Sequence, residues 1–455
     1  MQRPLTIIDA LAGLRRGSLT PVDLVSNCLG AIDRFESQVQ AWVEVNRQAA
    51  LDAAERCTHE MAHRRPLPPL HGIPLGIKDI VDVVGLPTRA GSSLTSPQPA
   101  ERDATVVERL RAAGAILLGK TVTTEFACFD PPPTKNPWNL AHTPGGSSSG
   151  SAAAVSLGMC LGAIGSQTGG SINRPASYCG IAGFKPSFGR VSRAGVVPVS
   201  FHLDHVGTMA HTAADCGLLL SVIAGPDAND PACSERPKFA LADDGTSWTP
   251  DHPPRLGVVR PYFFETADSE TAALVQTSLD RLRDEGARLI ELPLPEYFDQ
   301  VHTMHRRIMA AEAAEYHRAS FGAPRSGYGP QMQRLLDEGF AVMLSEYQEA
   351  LRHRLGFRNA VQRFLADVDA LVLPATPGPV PDPSTTGDAR FNSPWSHAGV
   401  PSISLPCGVT EAGLPVALQL VGEAWSEEWL LSAASWCEKR LAFHAVPQLL
   451  AQDAQ

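Results

Sequence analysis

Apolar residues recur at helical spacing near the start of the chain and give way, after about residue 66, to short unbroken apolar runs punctuated by glycine and proline. Leu24, Cys28 and Ile32 follow Thr20-Pro21-Val22-Asp23 at four-residue intervals. Threonine can cap a helix there and proline suits its first turn, so residues 1–65 are expected to be mainly helical. From Leu67 onward HGIPLGIKDIVDVVG reads as a buried strand with its approach loop, and Lys78 lies inside it. ATVVERLRAAG, which Asp103 can cap, reads as a helix ending at Gly114, and AILLGK as a short buried strand. A loop over 127–144, a helix starting at Ala152–Val155, a strand near Met159–Ile164 and a glycine turn at Thr168–Ser171 come next. Residues Asp299–Phe364 are mostly helical in pattern and DALVLPATP is a buried strand. Gly378–Thr386 is a Pro-rich stretch expected as an exposed loop. Ile403–Leu405 and Pro415–Val421 read as strands and Trp425–Leu441 as a closing helix. Helices and strands alternate, which makes the fold α/β.

Composition narrows the function classes. Of 455 residues, 44% are hydrophobic and 19% charged, enough to bury a large core. Net charge is −10 and basic runs stop at Arg15-Arg16, Arg64-Arg65 and Arg306-Arg307, so no nucleic-acid partner is expected. Apolar runs such as Gly195–Val199 and Gly217–Ala224 fall well short of the roughly 20 residues that cross a bilayer, so no membrane partner is expected either. MQRPLTIIDALAGLRRGS has no continuous apolar core with a small-residue cleavage site and does not read as a signal peptide. Nine scattered cysteines, an odd count without CxxC spacing, argue against a disulfide framework and for a reducing cytoplasm.

Three motif matches mislead. Gly114 to Thr121 satisfies the letters of a phosphate-binding loop, yet its four middle residues are apolar and read as the strand itself. Gly146-Ser147-Ser148-Ser149-Gly150 satisfies GxSxG, but NPWNLAHTPG before it is no strand, so Ser148 lacks a nucleophile elbow. His202, Asp204 and His205 resemble a partial metal set that no second cluster completes, which favours ordinary hydrogen bonding.

Chemistry concentrates in two glycine-serine turns, GGSSSGS at 145–151 and TGGS at 168–171, both embedded in apolar sequence where a flexible linker would be polar. In TGGS, small residues can aim several N–H groups at one spot, as a tetrahedral oxyanion requires, and Ser171 ends the run as a candidate nucleophile. No histidine stands near it in sequence, and His202, His205 and His211 have no evident orienting carboxylate. Lys78 is the other candidate base. An unperturbed lysine is uncharged in only about one molecule in a few thousand at neutral pH, so burial by Ile77, Ile80 and Val81 would have to lower its pKa. A structural lysine paired with Asp79 or Asp82 fits the pattern equally well.

These residues resemble the amidase signature enzymes. The resemblance is carried by GIKD at 76–79, GAILLGKTVTTEFA at 114–127, NPWN at 136–139, HTPGGSSSGSAAAV at 142–155, TGGS at 168–171 and GFKPSFGRVS at 183–192. It resumes with GVPSISLPCG at 399–408 and GLPVALQLVG at 413–422. It implies a single α/β/α sandwich domain over 1–455 with a mixed sheet of about eleven strands. Within it lie an N-terminal helical segment of about 1–65, a signature core of about 66–230 and a helical pocket region of about 299–365. It also implies a Ser-cisSer-Lys triad of Ser171, Ser147 and Lys78, a cis Gly146–Ser147 bond, and an oxyanion hole from the N–H groups of Thr168, Gly169, Gly170 and Ser171. No metal or cofactor is implied. The usual DTGGSIR is QTGGSINRP here, with Gln167 for the acid and Asn173 before Arg174, and Ser149 replaces a usual glycine.

The activity so implied is hydrolysis of a small-molecule amide, anilide or carbamate with esterase side activity, Met304, Tyr316 and Tyr328 being expected to line the pocket. A homodimer is compatible with such a chain. The competing reading is the A subunit of a tRNA-dependent amidotransferase, against which the QTGGSINRP departure speaks. A non-catalytic scaffold is least favoured because all three triad positions are occupied.

Overall fold

Thr20 begins the long helix Pro21–Val39 as its sequence predicts: Thr20 Oγ1 accepts the Asp23 N–H at 3.1 Å and the Thr20 N–H donates to Asp23 Oδ2 at 2.8 Å, closing a capping box. The computed structural model describes residues 3–63, 66–237, 239, 248–249, 251–322 and 326–452. The Arg64-Arg65 patch lies outside them. Two further helices, Ile7–Arg16 and Arg47–His63, share the N-terminal segment, but between them Trp42–Val45 is a strand, β1. Four residues are too few to announce themselves by pattern, and β1 owes its conformation to antiparallel pairing with β3.

The strands that follow are β2 (Pro74–Lys78), β3 (Ile116–Thr121), β4 (Gly162–Gln167), β5 (Ala182–Lys185), β6 (His205–Ala210), β7 (Arg255–Val259), β8 (Arg288–Leu292), β9 (Ala370–Pro374), β10 (Ser402–Val409) and β11 (Pro415–Val421). They form one eleven-stranded sheet in the order β1-β3-β2-β4-β6-β5-β10-β11-β9-β7-β8. It is mixed: β3, β2 and β4 run parallel, as do β9, β7 and β8, and antiparallel pairs join the two groups. Leu75, Ile77, Ala163, Ile164, Phe184, Met209, Leu405 and Leu418 are fully buried on it. Each large aliphatic side chain so buried contributes about 1.5–3 kcal/mol. Helices pack on the sheet throughout, Ser149–Ser156 against β4, Asn173–Cys179 against β5 and β10, and Ala213–Ile223 against β6, giving the α/β/α sandwich that the resemblance implies.

Two local expectations are corrected. The helix Thr105–Ala112 is not capped by Asp103; Ala104 precedes it, and the Asp103 carboxylate accepts the Val84 N–H at 2.7 Å and pairs with Arg111 at 2.8 Å. The strand expected near Met159–Ile164 begins at Gly162, because Gly158, in a left-handed conformation, still turns the chain.

The sheet delivers the glycine turns to one place. β2 ends at Lys78 and its neighbour β4 ends at Gln167, directly before Thr168–Ser171. The helix Ser149–Ser156 lies so close to the sheet edge that a β-carbon on Gly150 would fall 2.1 Å from the Ala41 carbonyl oxygen, so only glycine fits there.

Candidate active site

Lys78 stands at the end of a strand whose five residues are all buried, and is itself 0% exposed. Its Nζ donates to Ser147 Oγ at 2.7 Å and to Ser166 Oγ at 2.8 Å. Burial lowers its pKa to about 7, against the opposing pull of Asp204 and Cys128. The two carboxylates next to it in sequence are engaged elsewhere: Asp79 pairs with Lys120 Nζ at 2.8 Å and Asp82 accepts from Thr88 Oγ1 at 2.7 Å. The structural ion pair that the sequence left open is therefore not made.

Ser147 is held by a tightly built turn. The Gly146–Ser147 peptide bond is cis. A β-carbon on Gly146 would meet Thr386 Cγ2 at 2.9 Å, so the turn tolerates no side chain there. The Gly146 carbonyl accepts from buried Arg174 Nη2 at 2.7 Å, and the Ser148 N–H donates to the Ser171 carbonyl at 3.3 Å, joining the two glycine turns directly. Ser149, in place of a usual glycine, donates from Oγ to the Gly145 carbonyl at 2.6 Å and closes the same turn. Ser148 Oγ is turned into the sheet, donating to the Ser166 carbonyl at 3.2 Å, which removes it as a nucleophile-elbow serine.

The second turn is anchored on both sides. Thr168 Oγ1 donates to Asp204 Oδ1 at 2.6 Å, and Ser396 Oγ donates to the Gly169 carbonyl at 2.8 Å. Asp204 also accepts the N–H groups of Val199 (2.7 Å) and Ser200 (2.9 Å). Gln167 explains its own departure. Its Oε1 accepts the N–H groups of Ile172 (2.8 Å) and Asn173 (3.0 Å), as a carboxylate would. Its amide donates to Asn173 Oδ1 and Ser396 Oγ, as a carboxylate could not. The Gln167 and Asn173 changes thus answer each other without a buried charge. Among the described residues the N–H groups of Thr168, Gly169, Gly170 and Ser171 meet no protein acceptor, whereas the Arg174 N–H just beyond bonds the Gly170 carbonyl at 2.9 Å.

Ser171 and its three predecessors open onto a cavity of 840 Å³. The helix Val301–Phe321 forms one wall, as expected, but through His302, His305, Arg306 and Met309. Met304, Tyr316 and Tyr328 do not line it: Met304 is buried, Tyr316 packs edge-on against His317, and the Tyr328 hydroxyl bonds His317 Nδ1 at 2.9 Å. Burial lowers the pKa of His305 to about 3, so it faces the cavity as a neutral ring. The Pro-rich stretch, expected as an exposed loop, is exposed at Pro379 and over 382–385, and it also lends Gly378, Pro379, Pro381 and Thr385 to the cavity wall, with Thr386 buried.

Other residues came together without being foreseen. Ser166 is one residue before Gln167 in β4 and carries no motif of its own. Asp204, noticed only as a partial metal ligand, anchors Thr168 instead. His202 pairs with Glu312, and His205 Nδ1 approaches the Gln167 carbonyl at 3.3 Å, so the three residues of that set face three different partners. The false phosphate loop is β3 itself, with Lys120 turned inward to Asp79.

Comparison with known proteins gives the family and the fold. The model of the Amidase family matches residues 23–431. The A subunit of the glutamyl-tRNA(Gln) amidotransferase of Roseiflexus sp. (strain RS-1) is 37% identical, over 94% of this chain and 94% of that protein. Among solved structures, a native peptide amidase from Stenotrophomonas maltophilia superposes with a TM-score of 0.82 at 30% identity, covering 98% of each chain. A chain of a vestigial protein complex that bears on the evolutionary origins of an s-triazine catabolic enzyme reaches 0.89 at 28% identity, covering 98% of this chain and 100% of that one.

Proposed function

The chain belongs to the amidase signature family of hydrolases, and from that premise we propose that it cleaves amide-type C–N bonds through an acyl-enzyme on Ser171. Lys78, uncharged, takes a proton from Ser147 as Ser147 takes one from Ser171, and Ser171 Oγ attacks the carbonyl carbon. The N–H groups of Thr168, Gly169, Gly170 and Ser171 receive the oxyanion. Collapse returns the proton by the same route to the departing nitrogen, and water then cleaves the ester by the reverse relay.

The reading rests above all on Lys78. A fully buried lysine bonded to two hydroxyls, with burial lowering its pKa to about 7, is suited to pass a proton where a lysine held by a carboxylate would keep it. The substrate we propose is a small carboxamide, anilide or carbamate, with esterase side activity. Nine free thiols suit a reducing cytoplasm. No helix among the described residues is long and apolar enough to cross a membrane.

Treatment with a fluorophosphonate followed by intact-mass and peptide analysis tests the nucleophile. One adduct is expected, on Ser171, absent from Ser171→Ala; an adduct on any other serine, or none, refutes the assignment.

The 37% identity to the A subunit of an amidotransferase supports a second reading, in which the chain supplies ammonia from glutamine within a complex. The purified chain separates the two. Turnover of simple amides without partner chains supports the first, and turnover only of glutamine with partners present supports the second.

A further inference from the structure

A second cavity, of 570 Å³, reaches Ser166, one of the two hydroxyls bonded to Lys78, by another route. Its lining includes Ser166, and it shares only Val199 with the lining of the larger cavity. Ser166 is 8% exposed; its Oγ accepts from Lys78 Nζ, and among the described residues its hydroxyl hydrogen has no protein acceptor. The volume is in the range of small-molecule sites, and Ile80, Phe188, Val196, Val197, Phe201 and Val206 make most of the wall apolar. Phe201 is left 50% exposed. The ionised groups lining the cavity are already satisfied: Arg193 pairs with Asp230 at 3.0 Å, and Asp204 accepts three hydrogen bonds. A charged guest would find no free counter-charge, whereas a neutral one meets apolar walls and the open Ser166 hydroxyl.

We propose that this cavity is a second ligand site, which takes a neutral, mostly apolar molecule with one acceptor oxygen, holds that oxygen with the Ser166 hydroxyl, and transmits its presence to Lys78. When Ser166 donates to a ligand its oxygen becomes a better acceptor, because hydrogen bonds in series polarise one another. The bond from Lys78 then strengthens in its charged form, and the base is less often free. The effect on Lys78 rests on the hydrolase reading above, but the binding itself does not.

Acetophenone is a suitable probe, with toluene as the analogue lacking oxygen. In ligand-observed NMR titrations acetophenone is expected to bind more tightly than toluene by about two- to tenfold, the worth of one neutral hydrogen bond, and the gap is expected to close in Ser166→Ala. Val197→Trp, which puts an indole into the cavity, is expected to abolish binding. If that variant lacks a cooperative melting transition, Ala194→Phe fills the same space. In fluorophosphonate labelling of Ser171 at pH 7, acetophenone is expected to lower the maximal rate by about twofold or more and leave the half-saturating reagent concentration unchanged. In the filled variant it should change neither quantity.

No binding to the parent chain, or binding that survives in both filled variants, overturns the site. A raised half-saturating concentration with an unchanged maximal rate places acetophenone in the larger cavity and also overturns it. Absence of any Ser171 adduct without acetophenone refutes the hydrolase reading instead, and the titrations still decide the site.

Discussion

The ends of β2 and β3 each carry a fully buried lysine, and the two differ in what they touch. Among the described residues Lys78 Nζ meets only the hydroxyls of Ser147 and Ser166. Lys120, whose register partner on β2 is Ile77, is turned to the opposite face of the sheet and meets the Asp79 carboxylate at 2.8 Å. A third, Lys185, is as deeply buried, and burial lowers its pKa to about 7 as well, yet among the described residues its Nζ meets only the carbonyls of Pro186 and Val400. A carbonyl accepts a proton's hydrogen bond but has no proton of its own to pass on. Desolvation alone therefore does not mark a proton acceptor. The partners decide it, and of the three only Lys78 has hydroxyls alone.

This contrast can be broken most directly by removing each amine. Lys78→Ala is expected to lower the turnover of amides by about 10²- to 10⁴-fold, the usual weight of a positioned base, while the protein stays folded. Turnover equal to the parent's would end the argument for a lysine base. Lys120→Ala is expected to act on stability, costing about 3–5 kcal/mol in denaturant unfolding because it strands the Asp79 carboxylate in the core. A variant as stable as the parent would show that the pair is not structural.

Acidity sharpens the same contrast. The proposed base works only when neutral, so kcat/KM is expected to fall about tenfold per pH unit below an inflection near 7. Stability carries the matching signature: a lysine whose folded pKa is depressed to about 7 binds fewer protons folded than unfolded between that value and its ordinary range. Unfolding free energy contributed by Lys78 and Lys185 therefore rises with pH across that window. A pH–rate profile flat from 6 to 8 would contradict the lowered value at Lys78. The smallest effect is expected at Ser149. Ser149→Ala leaves the Gly145 carbonyl without its hydroxyl and should cost about 1 kcal/mol in a thermal melt, with turnover reduced only a few-fold.

Much of this was legible in the sequence where local rules decide. Thr20 and Asp23 make their capping box wherever the helix ends up, Lys78 lies in an apolar run that reads as a buried strand, and Ser147 and Ser171 stand in turns whose glycines declare close backbone approach. What was not legible depends on partners distant in the chain. The Trp42–Val45 strand exists through its pairing with β3. Asp103 is a competent helix cap that is taken instead by Val84 and Arg111. The helix Val301–Phe321 is mixed in polarity around its circumference, so its sequence does not say which face meets the cavity. His302, His305, Arg306 and Met309 do, at spacings of three, four and seven. Prolines in Gly378–Thr386 correctly signal a loop but carry no information about the wall it forms.

That wall has a further consequence. The groups proposed to make and break bonds come from strands and turns between residues 78 and 171, while the far sides of the larger cavity come from residues 302–309 and 377–393. The two sets of residues are therefore far apart in the chain, although Thr386 packs on Gly146 and the Gly387 carbonyl accepts from Arg174. A lineage carrying this architecture has most room to retool its diet by drift in 302–309, which leaves those braces of the chemical engine untouched.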